Sequence, residues 1–190
     1  MCYTTGMKVL FGLGNPEQKY THTRHNVGFW ALDQIAASYS TEYKAAAKLH
    51  AVVADMMVGS ERVLLVKPTT YYNEVGQSAR AIMDFYKLSP EDFLIAHDDL
   101  ALPLGTIRTR LGGSDGGSNG LKSLAAHIGT DTARLRIGVW TDSHHGTDRV
   151  GIVLGKLAKD EQRVLDSQID TILGIATDFI AGAFAATTHK

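Results

Sequence analysis

Short apolar runs separated by stretches with helical spacing constrain this chain of 190 residues more than any other feature. MKVLFGL at 7–13 reads as a buried strand ending in the turn formers Gly14-Asn15-Pro16. AVVADMMV and RVLLVKP flank Gly59-Ser60-Glu61, the pattern of a hairpin. FLIA at 93–96 is a short buried strand, and GTIRTRL and RLRIGVW read as two more. A first helix is predicted after Thr23 as its cap, with the stripe Phe29, Leu32, Ala36 and Tyr39. Val75, Ala79, Ile82, Met83 and Tyr86 mark a second, which ends before the loop at Pro90. NGLKSLAAHIG marks a third, and residues 159–181 a long fourth carrying Leu165, Ile169, Ile172, Leu173, Ala176 and Ile180. Strands alternating with helices imply crossover connections. The expected fold is α/β: a mixed, largely parallel twisted sheet with helices on both faces and one antiparallel hairpin. The length suits one sizeable core, so residues 1–190 read as a single domain, with 1–6 as a loose N-terminal extension.

Composition excludes several classes. Hydrophobic residues at 44% and charged residues at 21% describe a globular chain rather than a disordered one. No apolar run approaches the roughly 18 residues of a membrane span. The opening MCYTTGMKVLFGL has a charge inside its apolar part and no small-residue cleavage site, so no signal peptide is expected. Cys2 is the single cysteine, which rules out an intramolecular disulfide and suits a reducing cytoplasm. A net charge of −1 argues against coating nucleic acid through a bulk field. It leaves room for a local patch: residues 105–136 hold Arg108, Arg110, Lys122, Arg134 and Arg136 against Asp115 and Asp131. On charge alone that patch is equally a solvated face.

In open α/β sheets, ligands bind beyond the carboxyl ends of the strands. Asn15 follows the first run, Asn73 follows VLLVKPTTYY, Asp98 follows FLIAH, and Asn119 lies in the glycine-rich loop after RTRL. His25, at the opening of the first helix, joins them if that helix packs beside the first strand. A histidine oriented by a carboxylate can act as general base on water near neutral pH. Carboxamides suit recognition of a peptide amide or of a developing oxyanion. Singly, each residue has a structural explanation: Asn15 and Asn73 as caps, Asn119-Gly120 as a turn, Asp98 as a solvated acid, His25 as one of eight histidines. Only their joint placement points to chemistry.

Three patterns compete with that reading. Gly12-Leu13-Gly14 opens like a dinucleotide fingerprint, but Glu17 stands where its third glycine belongs. Gly116 to Ser123 resembles a P-loop, except that Leu121 separates glycine from lysine. Gly116-Gly117-Ser118-Asn119-Gly120 fits G-x-S-x-G, which would make Ser118 a nucleophile. A nucleophile elbow needs a strand running straight into the serine, and flexible GGSDG intervenes. TDSHHGTD at 141–148 lacks the spacing of a metal site and reads as an exposed loop.

GLGNP (12–16), YTHTRHNVGF (20–29), KPTTYYNEVGQS (67–78), AHDDLALPLG (96–105), GGSNGLKS (116–123) and RLRIGV (134–139) appear in order. With these six motifs the chain resembles the bacterial peptidyl-tRNA hydrolases over residues 8–182. The resemblance implies hydrolysis of the ester between a peptide's carboxyl end and the terminal ribose of tRNA, which recycles prematurely released peptidyl-tRNA. It also implies a cytoplasmic, cofactor-free and metal-free monomer contacting the acceptor stem, 3′ end and peptide. His25 then matches the catalytic histidine and Asp98 its acid, with Asn73 steadying the developing charge. Asn15, Asn119, Tyr20 and Tyr72 match the binding wall, and Arg110 and Arg136 a clamp for the tRNA 5′-phosphate. Two positions depart from the pattern. Glu17 stands where relatives usually carry glycine, and Ser118 where they usually carry histidine.

Overall fold

The structure, a computed structural model, describes residues 6–190, so most of the expected extension at 1–6 lies outside the described residues. Its strands are β1 (Met7–Gly12), β2 (Lys44–Ala46), β3 (Ala51–Val58), β4 (Glu61–Pro68), β5 (Phe93–Pro103), β6 (Ile107–Leu111), β7 (Ala133–Trp140) and β8 (Thr188–His189). The helices are α1 (Val27–Ser38), α2 (Val75–Tyr86), α3 (Asn119–Ile128), α4 (Arg149–Leu154), α5 (Lys159–Asp166) and α6 (Ile169–Ile180). All eight strands join one sheet in the order β2-β3-β4-β1-β5-β7-β6-β8. Parallel pairing is confined to its centre, β4-β1-β5-β7. The hairpin β3-β4 with β2 on one flank, and β6 with β8 on the other, are antiparallel.

Burial on both faces explains the continuous apolar runs of the central strands. In β1, Val9 and Phe11 pack toward residues of α2 and α3, whereas Leu10 packs toward α1 and α6. Each such side chain, fully buried, contributes roughly 1.5–3 kcal/mol. The start of α1 presses directly on the ends of β1 and β5. A Cβ at Gly28 would stand 2.4 Å from the carbonyl oxygen of Ala96 and 2.5 Å from that of Leu13. Any larger residue would lift the helix, and with it the turn that carries His25.

The structure corrects several local expectations. α1 buries Val27, Gly28, Ala31, Leu32, Ile35 and Ala36, so Leu32 and Ala36 of the expected stripe face the core, whereas Phe29 is half-buried and Tyr39 exposed. Thr23 does not cap it. A 3-10 turn, Arg24–Asn26, precedes the helix, and the Thr23 hydroxyl donates to the Tyr20 carbonyl at 2.8 Å. β5 runs eleven residues rather than four, because Asp98 and Asp99 pair with Ile137 and Gly138 of β7. The long helix over 159–181 is two helices, broken where the Ser167 hydroxyl turns back to the Val164 carbonyl. Residues 141–148 are not simply an exposed loop. A 3-10 turn there buries His144, and α4 follows.

Candidate active site

Beyond the carboxyl ends of β1, β4 and β5 lies a cleft of about 690 Å³. His25 sits in the turn before α1, and Asp98 stands on the extended part of β5. The imidazole Nδ1 lies 3.0 and 3.1 Å from the two Asp98 oxygens. With Nδ1–H donated to the carboxylate, the neutral ring carries its lone pair on Nε2. The Asp98 side chain is 6% exposed and that of His25 17%. The carboxylate is hidden while the imidazole keeps an accessible edge.

The turn holding His25 is tied down from several sides. The Asn26 side chain makes a reciprocal pair with the backbone of Asn15, accepting from its N–H and donating to its carbonyl, both at 2.9 Å. Arg24 is buried, and its guanidinium donates to both Glu161 oxygens at 2.6 Å and to the Lys156 carbonyl at 3.1 Å. Burial works to raise the Glu161 carboxyl. The Arg24 guanidinium and the Ala158 N–H outweigh it and hold the group below the usual carboxylate range.

The three asparagines share the cleft but differ in availability. Asn15 is buried, and its Oδ1 accepts from the Tyr72 backbone N–H at 2.9 Å. Only its Nδ2 remains to face a ligand. Asn73 is exposed on the 3-10 turn Tyr72–Glu74. It caps nothing, so the structural explanation by capping does not apply. Asn119 opens α3, also exposed, and the cap is Ser118, whose Oγ accepts from Leu121 N–H. Tyr20 lines the same cleft, with the Lys19 ammonium 4.9 Å from its ring. Tyr72 is placed differently. It is 5% exposed, its ring stacks on His25 with centroids 3.5 Å apart, and its hydroxyl donates to Asp98 Oδ1 at 3.0 Å.

A cationic wall closes one side. Cross-strand register sets Arg110 opposite Arg134, with Arg136 one pleat further along β7. Arg110 is exposed, and its guanidinium lies so close over Gly113 that a Cβ there would stand 2.3 Å from Cζ. Arg136 is ion-paired, its Nε 2.7 Å from Asp99 Oδ2. Arg134 is buried and donates to the carbonyls of Ser114 and Gly113 at 2.6 and 2.7 Å. Burial first, then Arg110 and Arg136, lower its affinity for a proton. The glycine-rich loop, with Gly112, Gly113, Gly116 and Gly117 all at positive φ, is thus pinned by an arginine from below.

The family model described as Peptidyl-tRNA hydrolase matches residues 9–190. The chain belongs to that family. A peptidyl-tRNA hydrolase from Exiguobacterium sibiricum is 44% identical over 185 residues, covering 97% of this chain and 99% of the relative. One from Neisseria meningitidis is 41% identical, covering 96% and 95%. The crystal structure of the Acinetobacter baumannii peptidyl-tRNA hydrolase superposes with a TM-score of 0.85 at 38% identity, over 94% of this chain and 90% of that one. The mixed single sheet expected from the sequence is therefore the family fold.

Within that fold, the competing motifs have other uses. The Ser118 Oγ meets Leu121 N–H at 3.4 Å and the Tyr72 hydroxyl at 3.3 Å, neither partner a histidine, so G-x-S-x-G marks a capped helix start. Glu17 pairs with Lys19 at 2.7 Å, and Lys19 and Tyr71 hold its carboxyl below the usual range. Sequence reasoning missed the burial of Arg134 and Tyr72, and the ion pair of Arg136 with Asp99. It also missed α4, which lines the cleft with Arg149, Val150, Val153 and Leu154. Val150 is 64% exposed, an apolar surface at the cleft that helical spacing over six residues is too short to announce.

Proposed function

We propose that this chain hydrolyses the ester joining a peptide to the terminal ribose of tRNA, with His25 as general base. The observation that carries it is the His25–Asp98 pair at 3.0 Å, opening on a cleft that also holds Asn15, Asn73 and Asn119. Nε2 takes a proton from water as the oxygen adds to the ester carbonyl. Asp98 favours the imidazolium that forms and keeps its tautomer. Amide N–H groups of Asn73 and Asn15 donate to the tetrahedral oxyanion, a contact worth roughly 10²–10³ in rate per donor. Collapse of the intermediate expels the ribose oxygen, which recovers the proton from His25. Water activated by an imidazole needs no Lewis acid, so no metal or cofactor enters this reaction scheme.

Asn119 and Tyr20 lie along the cleft where the peptide and the tRNA terminus would run. The exposed guanidinium of Arg110 and that of Arg136 are set to hold the 5′-phosphate. We take the chain to act as a single-domain monomer in the cytoplasm, contacting the acceptor stem, the 3′ end and the peptide.

The test is incubation of an N-blocked aminoacyl-tRNA with wild type and with His25→Ala. The variant should stay folded and lose roughly 10²–10⁴ in turnover. A folded His25→Ala protein cleaving the ester at full speed ends the proposal.

A further inference from the structure

Tyr72 has no part in the reaction just described, yet it touches both of its central groups. We propose that Tyr72 is a positioning residue for the His25–Asp98 pair, at the head of a hydrogen-bonded line running Ser118–Tyr72–Asp98–His25. The inference rests on His25 being the base.

Geometry carries it. The Tyr72 ring lies beneath the imidazole, 3.5 Å between centroids and 20° from parallel, so the imidazole cannot turn without losing that surface. The ring is itself clamped. Its backbone N–H is held by Asn15 Oδ1, and on α3 a Cβ at Gly120 would stand 2.5 Å from its edge. The phenol has one proton, and at 3.0 Å it goes to Asp98 Oδ1. The phenol oxygen therefore accepts from the Ser118 hydroxyl, 3.3 Å away. A donor chain of this kind strengthens each member. Burial, with the negative charge of Asp98 next, holds the phenol proton well above its ordinary range, so Tyr72 stays a donor wherever the enzyme works. Ser118 thus has a use that explains a short hydroxyl at a position where histidine is usual.

Two opposed effects on the base follow. The ring face favours the imidazolium, as an aromatic face favours any cation. The hydroxyl draws charge from Asp98 and weakens its hold on the Nδ1 proton. The other charged or titratable groups lining the cleft are Asp99, paired with Arg136; Arg110, Arg134 and His97 on the strands; Asp115 in the glycine-rich loop; Arg149 on α4; and the phenols of Tyr20 and Tyr71. None of these lies between Tyr72 and the pair it touches.

The experiment measures kcat and KM against pH on N-blocked aminoacyl-tRNA for wild type, Tyr72→Phe, Tyr72→Leu, Ser118→Ala and His25→Ala. Tyr72→Phe keeps the stack and loses the donor. Its acidic limb of kcat should move up by about half a pH unit, a fraction of what one charge-assisted hydrogen bond carries, with KM little changed. Ser118→Ala should shift the limb the same way by less. Tyr72→Leu also frees the imidazole and should lower kcat by about tenfold or more at constant KM. Tyr72→Phe with the wild-type limb and kcat, or an effect confined to KM, overturns the inference. If Tyr72→Leu fails to fold, Tyr72→Phe, which retains the packing, decides alone. An active His25→Ala protein would sink the base reading instead; an inactive one beside an unshifted Tyr72→Phe would sink only this inference.

Discussion

Glu161→Gln tests how the turn that carries His25 is anchored. Arg24 adjoins His25 in the 3-10 turn, and its side chain and that of Glu161 are 8% and 11% exposed. Glutamine keeps one oxygen for the Ala158 N–H and loses the charge, leaving the Arg24 guanidinium buried without its counter-ion. Breaking a buried pair by removing one partner costs roughly 3–5 kcal/mol. Arg24 retains its bond to the Lys156 carbonyl, which places the loss at the lower end, about 3 kcal/mol. For a chain of this size each kcal/mol shifts Tm by about 2–4 °C, so thermal unfolding at pH 7 should show a drop of about 6–12 °C. The gap must close in acid. The folded carboxyl lies below its unfolded value of 4.5, so its stabilisation is complete above that pH and is lost as pH falls through the folded value. Replacing both partners by apolar residues, Arg24→Met with Glu161→Leu, should recover most of the loss, because no unpaired charge remains. A Glu161→Gln protein melting within about 2 °C of wild type at pH 7 would refute the buried-charge account.

Three further outcomes follow from the same structure. Arg110→Ala should weaken tRNA binding and reduce the slope of log affinity against log salt by about 0.7–0.9, one phosphate contact. Arg136→Ala should weaken it more, because Asp99 is then left facing the phosphate alone; equal losses on a substrate lacking the 5′-phosphate would contradict the clamp. Burial lowers both His97 and His144 from 6.5, and His97 Nε2 is buried without a partner. The unfolded chain therefore takes up protons first, and stability should decline as pH falls below about 6.5; urea midpoints that stay flat from pH 7.5 to 5.5 would contradict this.

Much of the fold was legible because burial leaves local marks. KVLFG, VLLV and FLIA announce strands covered on both faces, and Val75 to Tyr86 shows the spacing of a helix lying on a sheet. The ends of apolar runs located four members of the candidate site, since crossover topology brings those ends to one edge, although β5 itself runs on past Asp98. Other features leave no such mark. β5 extends through HDDLALP only because β7 offers it a ladder. α1 buries Ala31 and Ile35 rather than Phe29 and Tyr39 because contact at Gly28 sets its roll. The break after Asp166 depends on a single serine turning back on its own helix.

By itself, then, the sequence determined the central apolar strands and the first three helices, and that Asn15, Asn73, Asp98 and Asn119 follow the apolar runs while His25 stands before the first helix. Only the tertiary structure decided that Tyr72 lies under the imidazole, that Arg136 is ion-paired with Asp99, and that Arg134 is buried while Arg110 is exposed. Periodicity is a property of neighbours along the chain. Which side chains meet across 26 or 73 residues of separation is decided by sheet register and helix packing, which no local window contains.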